Sequence, residues 1–327
     1  MFRHGHFIRF GFLLLFEISF LCGSLARAQA VDHEAALAAY RSGNEMYDHY
    51  RFGEAAAAYE RAIKLDAQFA PAYHNLAVAD EMVDRQKSIQ EWQRFIEVAE
   101  KDPDLRFDVG RAQACMQMAR NLPALPEAMQ PSHYLSEAGD YYFEVASEAE
   151  QNLWTTFPVK VDLGSAPQIK WIQGAREAFN IWKAMFPLQL VIHTEEANIR
   201  VSWITEPQID GAVGEDWERP TWEEVGGEMK GTRICTISVD LSTRDWTKDE
   251  MRAILLHELG HALGIKGHSD SKKDIMYWQM QDKARHIYLP NDPFPFILRS
   301  LVKQPSQRDM NTLIRLYNSV GLAKRMP

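Results

Sequence analysis

Residues 257–269 read HELGHALGIKGHS and combine residue types that bind metal ions. His257 and His261 are four residues apart, which places both imidazoles on one side of an α-helix. Such a pair can bind one tetrahedral cation, and imidazole is a usual ligand of zinc. Gly264 favours the end of the helix, so the chain can turn back and bring His268 to the same ion. Three histidines leave the fourth position of a zinc ion open, as a catalytic site requires.

Glu258 stands between the first two histidines and suits the role of a general base on a zinc-bound water. The simpler interpretation is a helix with two exposed histidines, because a bare H-E-x-x-H string also arises by chance. Here a glycine and a third histidine occupy further fixed positions, so the longer string H-E-x-x-H-x-x-G-x-x-H is complete. The pattern therefore favours a catalytic metal site.

The segment before the motif predicts the helix that must carry it. Thr247 and Glu250 have the spacing of a capping box, and acidic residues suit the first turn of a helix. An apolar face then follows at helical spacing, made of Met251, Ile254, Leu255, Leu259 and Leu263.

The complete string with a methionine after it resembles the signature of the metzincin zinc peptidases. Met276 follows in DIMYW, and its distance from His268, together with Ser269, resembles the matrixin branch. The segments ANIRVSW (197–203) and SQRDMNTLIRLYN (306–318) are also similar to matrixin segments, so the resemblance covers roughly residues 150–320.

The resemblance implies a zinc endopeptidase. Zn²⁺ would be held by His257, His261 and His268, and Glu258 would activate water for attack on a peptide bond. Met276 would form the hydrophobic base below the metal without binding it. Protein or peptide substrates are implied, but no cleavage preference.

Three departures from the matrixin pattern limit what can be carried over. Trp278 stands where matrixins usually have proline, and Tyr277 is one residue too early to approach the metal as in the astacin branch. The long segment 279–305 falls in the region that shapes substrate specificity. No matrixin latency motif is present, and Cys115 lies in a helical stretch, so a cysteine switch is unsupported.

The first half of the chain contains a repeat. Residues 36–69 and 70–101 align with small and aromatic residues in common, and Gly43 falls at the expected helix crossing. A period near thirty-four residues resembles the tetratricopeptide repeat (TPR), a helical hairpin that stacks on its neighbours. Such a module implies docking of a partner protein, although a spacer that contacts only the second half is equally compatible.

A further helix over 104–121 would cap the repeats, and the three prolines of LPALPEAMQPSH (122–133) predict the end of the helical pattern. We therefore divide the chain into a signal peptide (1–30), a TPR-like domain (31–121), a linker (122–135) and a metzincin-like domain (136–327).

The second half predicts an α+β domain with a mixed sheet. Strands are predicted over DYYFEVAS, FPVKVDL, LQLVIHT, ANIRVSWI and TRICTISVDL, with a helix over IKWIQGAREAFNIWKAMF. The acidic segment between Glu206 and Gly231 matches no ordered calcium-binding spacing, and we expect a solvated surface loop.

Residues 1–30 combine two arginines, an apolar run and small-residue cleavage sites, the outline of a secretory signal peptide. Glu17 within the run argues against a membrane-spanning anchor. The net charge of −9 argues against nucleic-acid binding. Cys115 and Cys235 could pair in an exported protein or remain two buried thiols.

The sequence thus predicts an all-α TPR-like region followed by an α+β metzincin-like domain with an active-site helix. The functional hypothesis is an exported zinc endopeptidase, periplasmic or secreted, with a docking or regulatory module. The alternative is a TPR adaptor whose zinc site is structural and does not cleave.

Overall fold

The computed structural model describes residues 32–122, 124–149, 153–206, 214–217, 221–225, 228–242, 245–277, 303–319 and 326. The predicted signal peptide, Trp278 and most of segment 279–305 lie outside these residues. In the described part of the chain no helix is both long and apolar enough to cross a membrane.

Five α-helices lie within the described residues 32–122. They are α1 (His33–Asp48), α2 (Phe52–Leu65), α3 (Ala70–Asp80), α4 (Arg85–Ala99) and α5 (Arg106–Asn121). Each helix packs on the next one along the chain. In α1 the buried residues Ala36, Tyr40, Gly43 and Tyr47 recur every three or four positions, so one face of the helix is covered by its neighbours. The helical region predicted from the repeat is therefore present.

Short 3-10 turns cross from the helical region to the rest of the molecule. They cover Glu127–Met129, Pro131–His133 and Ser136–Ala138. Leu125 and Met129 belong to the C-terminal hydrophobic core, whereas Tyr134 packs against the helical region. The proline-rich stretch therefore contacts both the C-terminal hydrophobic core and the helical region.

A helix follows where the sequence predicted a strand. The segment DYYFEVAS contains α6 (Tyr142–Ala149), so this prediction was wrong. Tyr141, Tyr142, Val145 and Ala146 are buried while Phe143 is exposed, which is a helical period. The segment was predicted as a strand because aromatic residues and valine favour strands, and this composition was given more weight than the helical period.

The C-terminal domain is built on a five-stranded sheet in the order β2-β1-β3-β7-β4. Its strands are β1 (Val159–Asp162), β2 (Leu188–Leu190), β3 (Ile199–Ile204), β4 (Gly214–Trp217) and β7 (Cys235–Asp240). Four strands run parallel, and β4 pairs with β7 in the antiparallel direction. The predicted mixed sheet is therefore present.

The acidic insertion is not simply a surface loop. Besides β4 it contains β5 (Thr221–Val225) and β6 (Glu228–Thr232), which pair as an antiparallel hairpin. Gly226 and Gly227 lie between these strands in the sequence, and a glycine pair is a strong hairpin signal that the acidic composition obscured.

Three further helices lie in the described part of the domain: α7 (Ile169–Lys183), α8 (Lys248–Ala262) and α9 (Gln307–Asn318). The indole Nε1 of Trp182 in α7 donates to the carbonyl of Leu256 in α8 at 2.9 Å, which fixes the two helices against each other. Cys115 is buried in the helical region and Cys235 in the core of the sheet, and no disulfide joins them.

Candidate metal centre

The helix that carries the motif begins where the sequence predicts. Thr247 is the N-cap of α8, its hydroxyl accepts from the Glu250 amide at 3.2 Å, and the Glu250 carboxylate accepts from the Thr247 amide at 2.9 Å. This reciprocal pair satisfies two amides that have no partner within the helix. The register of every following residue of α8 is therefore set ten residues before the first histidine of the motif.

His257 and His261 lie on one face of α8, and both are buried. The Nδ1–H of His257 donates to the carbonyl of Ile275 at 2.7 Å, and that of His261 donates to the carbonyl of Ile265 at 2.6 Å. A proton held on Nδ1 leaves the lone pair on Nε2, which is the form that binds a metal.

Gly264 reverses the chain after α8. Its φ of +121° is a conformation that other residues rarely adopt, and its amide donates to the carbonyl of His261 at 3.0 Å. The turn brings the carbonyl of Ile265 back to the ring of His261. It also directs the chain so that His268 reaches the same place from outside the helix.

The three histidines form one cluster. One ring nitrogen from each of His257, His261 and His268 lies within 4.8 Å of the other two. Nitrogens bound to a common tetrahedral zinc ion are about 3.4 Å apart, so small side-chain rotations bring all three to one ion. The Nε2 atom of His261 is buried and has no hydrogen-bond partner in the described part of the chain, which is the environment expected for a metal ligand.

Burial also keeps His261 in its metal-binding form. Desolvation, followed by repulsion from His268, lowers the pKa of His261 to about 3. The imidazole is therefore neutral at physiological pH and its lone pair is available to a cation. An all-imidazole donor set suits zinc and other borderline ions better than calcium or magnesium.

Glu258 and Met276 are both buried, one on the helix that carries the histidines and the other packed against it. Glu258 is buried beside the cluster but is not one of the three grouped ligands. Met276 is fully buried, and its sulfur lies so close to Gly260 that a β-carbon there would collide with it. The methionine thus packs directly below the helical turn that carries His257 and His261.

Sequence reasoning did not predict the long-range contact that holds the loop behind the cluster. Asp309 of α9 accepts from the amide of Ile275 at 2.9 Å and from the hydroxyl of Tyr141 at 2.6 Å. The carbonyl of the same Ile275 accepts from His257. Ser306 and Asp309 have the three-residue spacing of a capping box, which the structure contains, but nothing in the local sequence indicates that Asp309 contacts Ile275.

A second carboxylate fixes the chain on the other side of this loop. Asp274 is buried and accepts from Ser306 at 2.7 Å, from Arg308 at 2.8 Å and from the hydroxyl of Ser269. The amide of Ser269 donates to the carbonyl of Met276 at 2.7 Å. Since Ser269 directly follows His268, the third histidine is tied to the loop that supports the first.

The other histidines of the described residues are not grouped with these three. His133 is exposed and lies 3.4 Å from a carboxylate oxygen of Glu127. His193 is also exposed, near Glu195. Among the described residues, the three histidines of the motif are the only grouped set of metal-binding side chains.

Two buried histidines near the end of a helix meet a third, half-buried histidine from the loop that follows, beside a mostly parallel sheet, an arrangement that suits a zinc-peptidase domain. Residues 150–297 match the matrixin family, so the chain carries a matrixin-like metzincin domain. Matrixins are zinc enzymes, and the match supports a metalloprotease. The N-terminal helices lie outside the matched residues, and a search of curated proteins found no match.

Proposed function

We propose that this protein is an exported zinc-dependent endopeptidase that hydrolyses peptide bonds of protein substrates. The observation that carries the proposal is the convergence of His257, His261 and His268 on one buried point, with Glu258 buried beside them. A site that only stabilised the fold would have no chemical need for a carboxylate in that place. The matrixin match of residues 150–297 supports the same conclusion.

The residues of the site have different roles in hydrolysis. When bound by the three histidines, zinc supplies a Lewis acid that polarises the scissile carbonyl and acidifies a water molecule. The Glu258 carboxylate accepts the proton of the attacking water and then delivers it to the leaving amine nitrogen. His257 and His261 keep their orientation because their Nδ1 protons are held by backbone carbonyls.

Export and partner binding complete the proposal. The arginines and apolar run of residues 1–30 support a signal peptide, which directs the protein to the periplasm or the medium. The TPR-like helices support docking of a substrate or a regulatory protein. The competing function is an adaptor that uses the helices for binding and zinc only for stability.

Proteolysis of casein tests the proposal, with wild type, Glu258→Ala and the exposed control His133→Ala. We expect a chelator to abolish cleavage, and Glu258→Ala to lower the rate by about a thousandfold because general base catalysis is lost. Zinc content, measured by elemental analysis, should be the same in all three proteins.

A broad peptide library extends the assay beyond casein and would also give the cleavage preference. If wild type holds zinc yet wild type and Glu258→Ala are equally inert on the library, the endopeptidase proposal fails. Retained partner binding by the inert protein would then favour the adaptor.

A further inference from the structure

His268 is the one histidine of the metal centre that does not lie on α8. It stands between Gly267 and Ser269 in the loop that follows this helix. The next six residues, SDSKKD (269–274), are all polar, so apolar side chains do not hold this part of the loop in place. Ser269 and Asp274 are nevertheless buried. Polar contacts must therefore fix the chain beside His268.

Asp274 folds this polar stretch back on its own beginning. Its Oδ2 accepts from the hydroxyl of Ser269. The oxygen of that hydroxyl accepts in turn from the amide of Ser271 at 3.0 Å. The amide of Ser269 donates to the carbonyl of Met276 at 2.7 Å. Ser269 is thus held through both its side chain and its main chain, directly beside the metal ligand.

Asp274 is itself anchored to the N-terminal end of α9. Its Oδ1 accepts from the hydroxyl of Ser306 at 2.7 Å, and its Oδ2 accepts from the guanidinium of Arg308 at 2.8 Å. That guanidinium lies over the ring of Tyr141, 5.4 Å from the centroid. Residues 309–318 of α9 are all buried, so the helix is a rigid support for the Asp274 carboxylate.

The chain on the other side of His268 packs against α6. A β-carbon at Gly267 would lie 2.8 Å from Cγ1 of Val145, which belongs to the hydrophobic core. The main chain at Gly267 is therefore in close contact with this helix, and a side chain there would push the loop away from it. His268 is held between this packing contact on one side and the hydrogen bonds of Asp274 on the other.

We propose that Asp274 is the positioning residue of His268. Together with Ser269 and Arg308 it holds the third imidazole in the place that the metal ion requires, and it thereby contributes to metal affinity. Asp274 acts through Ser269 and does not bind the ion itself. Groups that support metal ligands in this way change metal affinity by about ten- to a hundredfold. The inference rests on the proposed zinc site, but it does not require peptidase activity.

Asp274→Asn in the full chain tests the proposal. An asparagine side chain keeps the shape of aspartate, but its amide cannot accept hydrogen bonds at both ends as this carboxylate does. Competition with a chromogenic chelator measures zinc affinity, and we expect a loss of about thirtyfold. Asp270→Asn is the matched control. Asp270 lies 3.5 Å from the same Arg308, but its side chain is 77% exposed, so its replacement should change affinity by less than about twofold.

Cobalt(II) reports on the geometry of the metal centre separately from the stability of the fold. It binds to the same kind of site as zinc and, unlike zinc, absorbs visible light in a way that depends on the arrangement of its ligands. We expect Asp274→Asn to shift these absorption bands and Asp270→Asn to leave them unchanged. If Asp274→Asn unfolds more easily but keeps wild-type cobalt bands and zinc affinity, its role is only structural and the proposal is overturned.

Ser269→Ala keeps the test decisive if Asp274→Asn does not fold. It removes only the hydroxyl through which Asp274 acts, and it should weaken zinc binding by about tenfold. The double variant should bind zinc like Asp274→Asn alone, because both changes remove the same hydrogen bond. Wild-type affinity in folded Ser269→Ala overturns the proposal. Casein cleavage reports separately on the peptidase, since a wild type that holds zinc but cleaves nothing contradicts the proposed function and not the role of Asp274.

Discussion

Two buried histidines in different halves of the molecule show what distinguishes a metal ligand from a core residue. His74 lies in the helical region and His261 in the C-terminal domain, and both are less than a tenth exposed. Burial is the main reason that the pKa of each is lowered, to about 4 for His74 and about 3 for His261. A lowered pKa therefore does not by itself identify the functional histidine.

The surroundings of the two rings differ. The edges of Trp92 and Phe95 pack against His74 with ring centroids 4.9 and 5.3 Å away, and its Nδ1 contacts the Asn75 amide oxygen. His261 instead faces two further imidazoles, with centroids 4.7 and 4.9 Å away. Convergence of like donors that would repel one another if charged is what points to a cation.

The largest expected effect comes from replacing the two histidines by the same residue. His261→Phe should weaken zinc binding by about 4 kcal/mol, near a thousandfold, because one of three ligands is lost. His74→Phe should leave zinc affinity unchanged, since its ring lies among aromatic side chains of the helical core. Competition with a chromogenic zinc chelator measures both affinities.

Equal loss of zinc from His261→Phe and His74→Phe would contradict the distinction between a metal ligand and a core residue. It would mean that unfolding, and not ligand loss, releases the metal. Circular dichroism of each variant separates these outcomes, because His261→Phe is expected to keep its helical signal.

Buried charge at the junction of the two halves provides the next test. Arg315 of α9 pairs with Asp140 at 3.0 Å, donates to the hydroxyl of Tyr47 in α1 at 3.0 Å, and is 1% exposed. Arg315→Met leaves Asp140 buried without its counter-charge and should lower the free energy of unfolding by about 3 kcal/mol. That is the low end of the usual range, because Tyr134 and the Tyr142 amide still donate to this carboxylate.

Chemical denaturation measures this loss. The control is Arg51→Met, which removes an exposed pair with Glu54 and should change stability by no more than about 0.5 kcal/mol. A similarly small effect of Arg315→Met would show that the junction contributes little, and that the helical region and the C-terminal domain are stable independently.

What could be predicted from the sequence depended on how far apart in the chain the contacting residues are. The motif helix, its capping box and the turn at Gly264 depend on residues close together in the chain, so local spacing was sufficient. Asp309 reaches Ile275 across 34 positions, and Arg315 reaches Asp140 across 175. No periodicity encodes such pairs, because they exist only once the sheet and helices have packed. The strand predicted at Tyr142 failed for a different reason, since composition was given more weight than period.

The smallest predicted effect is the contribution of His74 to the pH dependence of stability, measured as a difference between wild type and His74→Phe. In the unfolded chain this histidine takes up a proton near pH 6.5, whereas in the folded chain it does so only near pH 4. Between these values the unfolded state binds more protons, so acidification favours unfolding. Wild type should therefore lose about 2.5 kcal/mol more than His74→Phe between pH 7.5 and 4.5. Asp80, whose pKa burial raises to about 7, opposes this trend equally in both proteins. Denaturation of the metal-free proteins at both pH values measures the difference, and parallel pH profiles would contradict a buried, neutral His74.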